Sequence, residues 1–187
     1  MGPLASAQQL DDVIRGVARL GEETKIVFGS GERVDGAGNP PGTGFFFAPT
    51  LLEAQGEAGA GLVHDLEVFG PVATLIAYDG APRDAAMLVA RGQGSLVTSL
   101  YSNDLDFVNG YLAEGGSGSG RLYLGSEKVA GLLPGSGVAM PQLMHGGPGR
   151  AGGGQELAGL KGLELYLQRV ALTGDRVLVE KLAGLRG

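Results

Sequence analysis

Cysteine is absent from this chain, which also has no tryptophan and only two histidines, His64 and His145. Without a thiol the chain forms no disulfide, no thiolate metal site and no cysteine nucleophile. Two histidines are too few for a histidine-rich metal site, so we expect no bound metal.

Long apolar runs and clusters of positive charge are also missing. No apolar run reaches the roughly 18 residues that a membrane-spanning helix needs. The N-terminal sequence MGPLASAQQLDD lacks the basic region and apolar core of a signal peptide. The net charge is −6 and the basic residues are scattered, which does not favour nucleic-acid binding. We therefore expect a cytoplasmic protein that binds neither nucleic acid nor membranes.

Glycine, in contrast, is abundant: 36 of the 187 residues, against about 7% in an average protein. The glycines cluster at 29–44, 115–120 and 146–154, and aliphatic segments separate these clusters. Because a hydrophobic content of 43% is enough to form a core, we expect a folded domain with long glycine-rich loops.

Hydrophobic periodicity predicts helices alternating with strands. The predicted helices are 6–20 (capped by Ser6 and ended by Gly21), 82–91, 104–114 and 157–170. The predicted strands are 25–28, a second one that starts at 45–47 and is interrupted by Pro49, then 72–78, 95–101 and 121–124. Residues 53–62 are predicted to form a loop or one helical turn, and 126–154 a long irregular segment. This order favours an α/β fold with a layered, mostly parallel sheet flanked by helices.

The stretch 63–78, VHDLEVFGPVATLIAY, is the first candidate site. Gly70-Pro71 predicts a bend, because glycine tolerates unusual backbone angles and proline restricts its own φ. Glu67 and Phe69 then lie where a loop enters a buried strand, a common ligand position in α/β proteins. The simpler alternative is an exposed carboxylate and a core phenylalanine beside a tight turn.

The glycine tract 146–154 and His145 are weaker candidates. Backbone N–H groups ahead of a helix bind anions, and Arg150 could pair with such an anion. A closely packed loop without a ligand, with Arg150 solvated, is the simpler interpretation. A lone loop histidine is more often structural than catalytic, and the Walker, Rossmann and nucleophile-elbow patterns are all absent.

Several separated segments resemble the C-terminal part of the aldehyde dehydrogenase superfamily, in the family's order. GFFFAPTLL resembles its G-Y/F-F/Y-x-x-P-T motif, and LEVFGPV resembles its E-I/V-F-G-P-V motif. LVTSLYSND and GRLYLG resemble two later strands, and GGPGRAGGGQELAGLKGLELY resembles the G-G-x-K-x-S-G segment and the sequence after it. The likeness extends from Gly2 to about Thr173. The last segment also resembles the branch that oxidises CoA-linked semialdehydes.

This resemblance implies roles for two residues. Glu67 matches the glutamate whose carboxylate accepts hydrogen bonds from the nicotinamide ribose hydroxyls, and Phe69 matches the phenylalanine beside the nicotinamide. Residues 138–150, including His145, match the region that lines the aldehyde's approach. GGPGRAG departs from the family pattern there, so no single substrate contact carries over. The coenzyme would be NAD or NADP, held mostly by residues outside this chain.

No catalytic residue carries over, because the family's nucleophilic cysteine, general-base glutamate and oxyanion-binding asparagine lie upstream of the matched segments. We expect residues 1–170 to be a partial catalytic domain and 171–187 a C-terminal association segment. The expected function is the C-terminal part of an NAD(P)-dependent aldehyde dehydrogenase that is inactive by itself. It would act on an aldehyde together with the rest of the enzyme or as a homo-oligomer. The alternative is a free-standing, non-catalytic binding or assembly module derived from the same fold.

Overall fold

The computed structural model describes residues 1–56, 61–132, 145–152, 170–171 and 173–182, together with positions 163, 167 and 184. Helix α1 spans Ala7–Leu20, as the periodicity predicted. Ser6 caps it, since its Oγ accepts a hydrogen bond from the Gln9 N–H at 3.1 Å. The Gln9 side chain reaches back and accepts one from the Ala5 N–H at 2.9 Å. The predicted start and end of this helix are therefore confirmed.

The first sheet contains β1 (Thr24–Phe28), β2 (Thr50–Ala54) and β3 (Val72–Leu75), in that order. β1 and β2 are antiparallel, while β2 and β3 are parallel with Thr50 opposite Val72. Helix α1 packs with this sheet and contributes Leu10, Val13 and Val17 to a buried cluster with Phe47. Val68 and Val72 pack against the same cluster, so the segment carrying the first candidate site adjoins this core.

The prediction of a strand starting at 45–47 was wrong. β2 begins at Thr50, after Pro49, and Phe47 forms only an isolated bridge with Arg33. The side chain of Phe47 instead enters the core, where it is 5% exposed. Of the three phenylalanines in the FFF run, only Phe47 packs into the core, while Phe45 is exposed and Phe46 is half-buried. The end of β2 occupies part of the predicted loop 53–62.

The predicted buried strand 72–78 is shorter and more exposed than expected. β3 ends at Leu75, whose side chain is 50% exposed, and its residues alternate between half-buried and exposed. The alternation arises because the core cluster covers the side of β3 that carries Val72. A one-turn helix, α2 (Leu62–Asp65), precedes the bend.

A second sheet is built from a β–α–β unit. Helix α3 (Pro82–Arg91) leads into β4 (Ser95–Tyr101), and helix α4 (Leu105–Gly115) connects β4 to β5 (Ser119–Gly125). β4 and β5 are parallel, from Ser95 opposite Ser119 to Tyr101 opposite Gly125. Asp104 caps α4 by accepting hydrogen bonds from the N–H groups of Asp106 and Phe107. The helix and strand predictions in this region are confirmed, except that β5 begins two residues early, after a 3-10 turn at Gly116–Gly118.

Two of the three strand pairings in the described residues are parallel, and helices flank the strands, so the α/β prediction is confirmed. The strands form two sheets in this part of the chain instead of the single predicted sheet. Helix α5 (Arg176–Leu182) lies in the predicted association segment. Most of the predicted helix 157–170 and positions 133–144 of the irregular segment lie outside the described residues. Across the part that is described, no helix combines the length and hydropathy that crossing a membrane requires.

Candidate functional site

The loop between α2 and β3 presents two side chains on its exposed side. Glu67 and Phe69 are exposed, and Phe69 shows 70% of its surface to solvent. Val68 between them faces the opposite way and packs against the core cluster. The interpretation of Phe69 as a core phenylalanine was therefore wrong. A large aromatic side chain held in solvent beside a carboxylate is a candidate for ligand contact.

This loop packs closely against α1 on the side opposite Glu67 and Phe69. A Cβ placed on Gly16 of α1 would lie 2.7 Å from a methyl group of Val68. A Cβ on Gly70 would lie 2.6 Å from a methyl group of Val13. Both distances are shorter than side chains tolerate, so the loop and the helix approach each other as closely as glycine allows. In addition, the Gln9 Nε2 donates a hydrogen bond to the Phe69 carbonyl at 3.0 Å.

The predicted bend at Gly70-Pro71 is confirmed. The Gly70 N–H donates to the Val68 carbonyl and the Val72 N–H donates to the Gly70 carbonyl, both at 2.8 Å. These i to i+2 bonds are two consecutive tight turns. The Pro71 carbonyl accepts a hydrogen bond from the Thr50 N–H at 2.9 Å, which ties the bend to β2. The orientation of the Glu67–Phe69 segment is thus set by both α1 and the first sheet.

The glycine tract packs against the turn between α3 and β4. A Cβ on Gly94, whose φ is +109°, would lie 2.0 Å from the Pro148 carbonyl oxygen. A Cβ on Gly149 would lie equally close to the Gln93 carbonyl oxygen, at 2.0 Å. The two backbones touch where side chains would prevent it. The interpretation of 146–152 as a closely packed loop is therefore confirmed for these residues; 153–154 are not described.

Arg150 joins this tract to the short helix α2. Its Nη1 and Nη2 donate hydrogen bonds to the carbonyls of His64 and Asp65, each at 3.2 Å. Gln93 Nε2 donates to the Asp65 carboxylate at 3.0 Å, and the Gln93 carbonyl accepts a hydrogen bond from the Arg150 N–H at 3.0 Å. No pattern in the sequence indicates these contacts. Arg150 therefore binds backbone carbonyls. This differs from both sequence-based interpretations, an arginine that pairs with an anion and an arginine that is solvated.

These elements enclose a cavity of about 660 Å³. Its lining includes Glu67 and Phe69 from the loop, Ser95 and Val97 from the start of β4, and Arg150 from the glycine tract. A second cavity of about 460 Å³ lies on the α1 side and is lined by Gln9, Arg15 and the same loop. Glu67 and Phe69 line both cavities, so the loop forms a ridge between them.

The side chains of Glu67 and Phe69 are suited to binding a ligand. A carboxylate that accepts hydrogen bonds stands beside an aromatic ring, which suits a ligand with both hydroxyl groups and a planar ring. In the part of the chain that the structure describes, no group of three or more acidic or histidine side chains could hold a metal ion. No thiol is available anywhere in the sequence.

His145 is not among the residues that line either cavity. It is half-buried, and its Nδ1 is buried without a hydrogen-bond partner. The structure therefore does not bring His145 together with Glu67 and Phe69, and its role in the aldehyde's approach stays a prediction.

Among the described residues, two groups have shifted pKa values, and both lie outside these cavities. A hydrogen bond with Asp79 and burial raise the pKa of the Asp84 carboxyl at the start of α3. Burial raises the pKa of the Tyr111 phenol, and the Thr98 hydroxyl opposes that shift. Neither group contributes to the ridge or the two cavities beside it.

Comparison with known sequences gives one family. Residues 1–169 match the model of the aldehyde dehydrogenase family. The protein MaoC of Klebsiella aerogenes is 36% identical over 180 residues, which cover 96% of this chain and 52% of that protein. The 3,4-dehydroadipyl-CoA semialdehyde dehydrogenase of Aromatoleum evansii is 37% identical over 148 residues, 79% of this chain and 28% of that enzyme. The chain thus spans about half, or less, of these relatives.

Solved structures agree with these sequence matches. A 3,6-anhydro-L-galactose dehydrogenase in complex with NAP superposes with a TM-score of 0.70 at 26% identity, covering 90% of this chain and 32% of that one. A lactaldehyde dehydrogenase superposes with a TM-score of 0.65 at 28% identity, covering 90% of this chain and 31% of that one. Nearly all of the chain is matched in both superpositions, but less than a third of each structure is covered.

Proposed function

Because this chain belongs to the aldehyde dehydrogenase family, we propose that it is the part of an NAD(P)-dependent aldehyde dehydrogenase that contacts the nicotinamide end of the coenzyme. The observation that carries the proposal is the pairing of Glu67 and Phe69 on the exposed side of one fixed loop. Both side chains line the same two cavities and are open to a ligand.

The chemistry of the two side chains fits the two parts of a nicotinamide riboside. The two neighbouring ribose hydroxyls can both donate hydrogen bonds to the Glu67 carboxylate, which has no other hydrogen-bond or ion-pair partner among the described residues. Phe69 offers an apolar face next to which the nicotinamide ring can lie. The remainder of the coenzyme would be held outside this chain, and the site does not distinguish NAD from NADP.

For the substrate we propose an aldehyde, and specifically a CoA-linked semialdehyde that is oxidised to the acid. The support is the 37% identity with a relative whose name is 3,4-dehydroadipyl-CoA semialdehyde dehydrogenase. His145 belongs to the region proposed to line the aldehyde's approach. Positions 138–144 of that region lie outside the described residues.

We also propose that this chain associates with the rest of the enzyme or with further copies of itself. β1 supports this proposal because Ile26, Val27 and Phe28 are between 45% and 67% exposed. Three consecutive apolar side chains at this exposure favour burial against another surface. Residues 171–187 are proposed to take part in the same association.

Titration with nicotinamide riboside and NAD+ tests the proposed coenzyme contact. Backbone amide NMR spectra of the chain should show both ligands shifting the resonances of residues 66–70 and 94–97. The two ligands should perturb the same residues, because the proposed contact involves only the nicotinamide and its ribose. ADP, which lacks the nicotinamide ring, serves as the control. Shifts confined to other parts of the chain, or equal shifts with ADP, would count against the proposal.

The chain by itself is expected not to oxidise aldehydes. In the family's mechanism a thiolate attacks the aldehyde before a hydride passes to the coenzyme, and this chain has no cysteine. Incubation of the purified 187-residue chain with an aldehyde and NAD+ or NADP+ should give no increase in absorbance from the reduced coenzyme. Steady formation of the reduced coenzyme by the isolated chain would show that its chemistry differs from that of the family.

A further inference from the structure

We propose that Arg150 is a positioning residue, which holds the end of α2 so that Glu67 faces the nicotinamide ribose. The inference rests on the proposed coenzyme contact and extends it to a residue that lines the same cavity but acts through the backbone of α2. The two carbonyls that Arg150 holds belong to His64 and Asp65, and Asp65 is only two positions before Glu67. Any displacement of this carbonyl pair is therefore passed directly to the ridge.

The need for such a holder follows from the length of α2. The helix has only four residues, and the last carbonyls of a helix have no partner within it. A guanidinium presents several N–H donors in one plane, and two of its nitrogens can therefore bond two neighbouring carbonyls at once. Arg150 does this across 85 and 86 positions of sequence. The bond from Gln93 Nε2 to the Asp65 carboxylate is a second contact between this helix end and the turn before β4.

Arg150 can act as a holder because its own backbone is fixed. Its N–H donates to the Gln93 carbonyl at 3.0 Å, and the neighbouring Gly149 touches the same turn. Gln93 contacts both partners, since its side chain bonds Asp65 and its carbonyl bonds Arg150. The glycine tract, the turn between α3 and β4 and the end of α2 are thus joined into one unit beside the 660 Å³ cavity.

The ridge is consequently held at both ends. Gln9 of α1 holds the Phe69 carbonyl at one end, and Arg150 holds the His64 and Asp65 carbonyls at the other. Gln9 holds the backbone of the aromatic residue Phe69 itself, whereas Arg150 holds the backbone just before the carboxylate residue Glu67. Loss of Arg150 should therefore affect the ribose contact more strongly than the fold as a whole.

Nicotinamide riboside separates this role from direct ligand binding. The compound has no phosphate that Arg150 could bind, and its oxidised ring is positively charged. If Arg150 acted only through its charge, removing it would strengthen the binding of this cation, because like charges repel. If Arg150 positions Glu67, removing it weakens the binding. The two roles thus predict opposite signs for the same measurement.

The experiment compares three variants of the chain with the wild type by NMR titration with nicotinamide riboside. Arg150→Ala should weaken binding about threefold to tenfold, the size expected when a charged hydrogen bond is misplaced. Arg150→Lys should give an intermediate affinity, because an ammonium group can reach a carbonyl but lacks the planar pair of donors. Arg33→Ala is the matched control, since Arg33 Nη2 also donates to two carbonyls, those of Gly42 and Gly44, but in a loop away from the cavities.

The Arg33→Ala variant should bind within about twofold of the wild type, which shows that losing such a pair of bonds elsewhere is not enough. Wild-type or tighter binding by folded Arg150→Ala overturns the inference. If Arg150→Ala does not fold, Arg150→Lys decides: an affinity equal to that of the wild type overturns the inference, and a reduced one supports it. Failure of the wild type to bind at residues 66–70 would instead overturn the proposed function, so the two failures are distinct.

Discussion

A Glu67→Gln variant should bind nicotinamide riboside at least about tenfold more weakly than the wild-type chain. The carboxylate accepts charge-assisted hydrogen bonds from the two ribose hydroxyls, and such bonds contribute roughly 1.5–3 kcal/mol. The neutral amide keeps the shape of the side chain but has only one acceptor oxygen, and its NH₂ group cannot accept. Because Glu67 is exposed, its replacement should leave the free energy of unfolding nearly unchanged. The loss would therefore appear in binding and not in stability.

Glu114→Gln is the control for this variant. Glu114 is also exposed, on α4, and its replacement changes the net charge by the same amount without altering either cavity. Its affinity should equal that of the wild type, which removes the long-range effect of net charge from the comparison. Equal weakening by the two variants, or no weakening by Glu67→Gln, would contradict the assignment of Glu67 to the ribose.

Gly94→Ala should cause a large loss of stability, about 3 kcal/mol or more in the free energy of unfolding. Two effects add at this position. The backbone has φ = +109°, which costs a residue with a side chain about 1–3 kcal/mol. The new Cβ would also lie 2.0 Å from the Pro148 carbonyl oxygen, so the two backbones must separate. Urea denaturation followed by circular dichroism measures the change.

Gly80→Ala separates the two effects. Gly80 has a similar φ of +95°, but a Cβ there would meet nothing within 4 Å. Its replacement should therefore cost only the backbone strain, about 1–3 kcal/mol. The excess loss in Gly94→Ala measures the contact between the turn and the glycine tract. If the two variants lose the same stability, the close approach of these backbones is not what holds the site together.

Parts of the fold and of the candidate site could be predicted from short stretches of sequence. The bend at Gly70-Pro71 and the caps Ser6 and Asp104 are local features, because each depends on residues within a few positions. The same holds for Glu67 and Phe69 as candidates, since the E-V-F-G-P-V motif lies in one segment. The strand at 45–47 and the burial of 72–78 were wrong because a run of apolar residues does not reveal which sheet face a core covers.

The sequence by itself determined the family, the α/β class, the helices α1 and α4 with their caps, and the absence of a thiol, since each is written in local pattern or composition. Only the tertiary structure decided that Phe69 is exposed, that Gln9 bonds its carbonyl 60 positions away, and that Arg150 holds the end of α2. The reason is physical: these contacts form between segments distant in sequence, and glycines such as Gly16, Gly70 and Gly94 let those segments meet closely. Such meetings depend on how the helices and sheets pack against one another, which no single segment encodes.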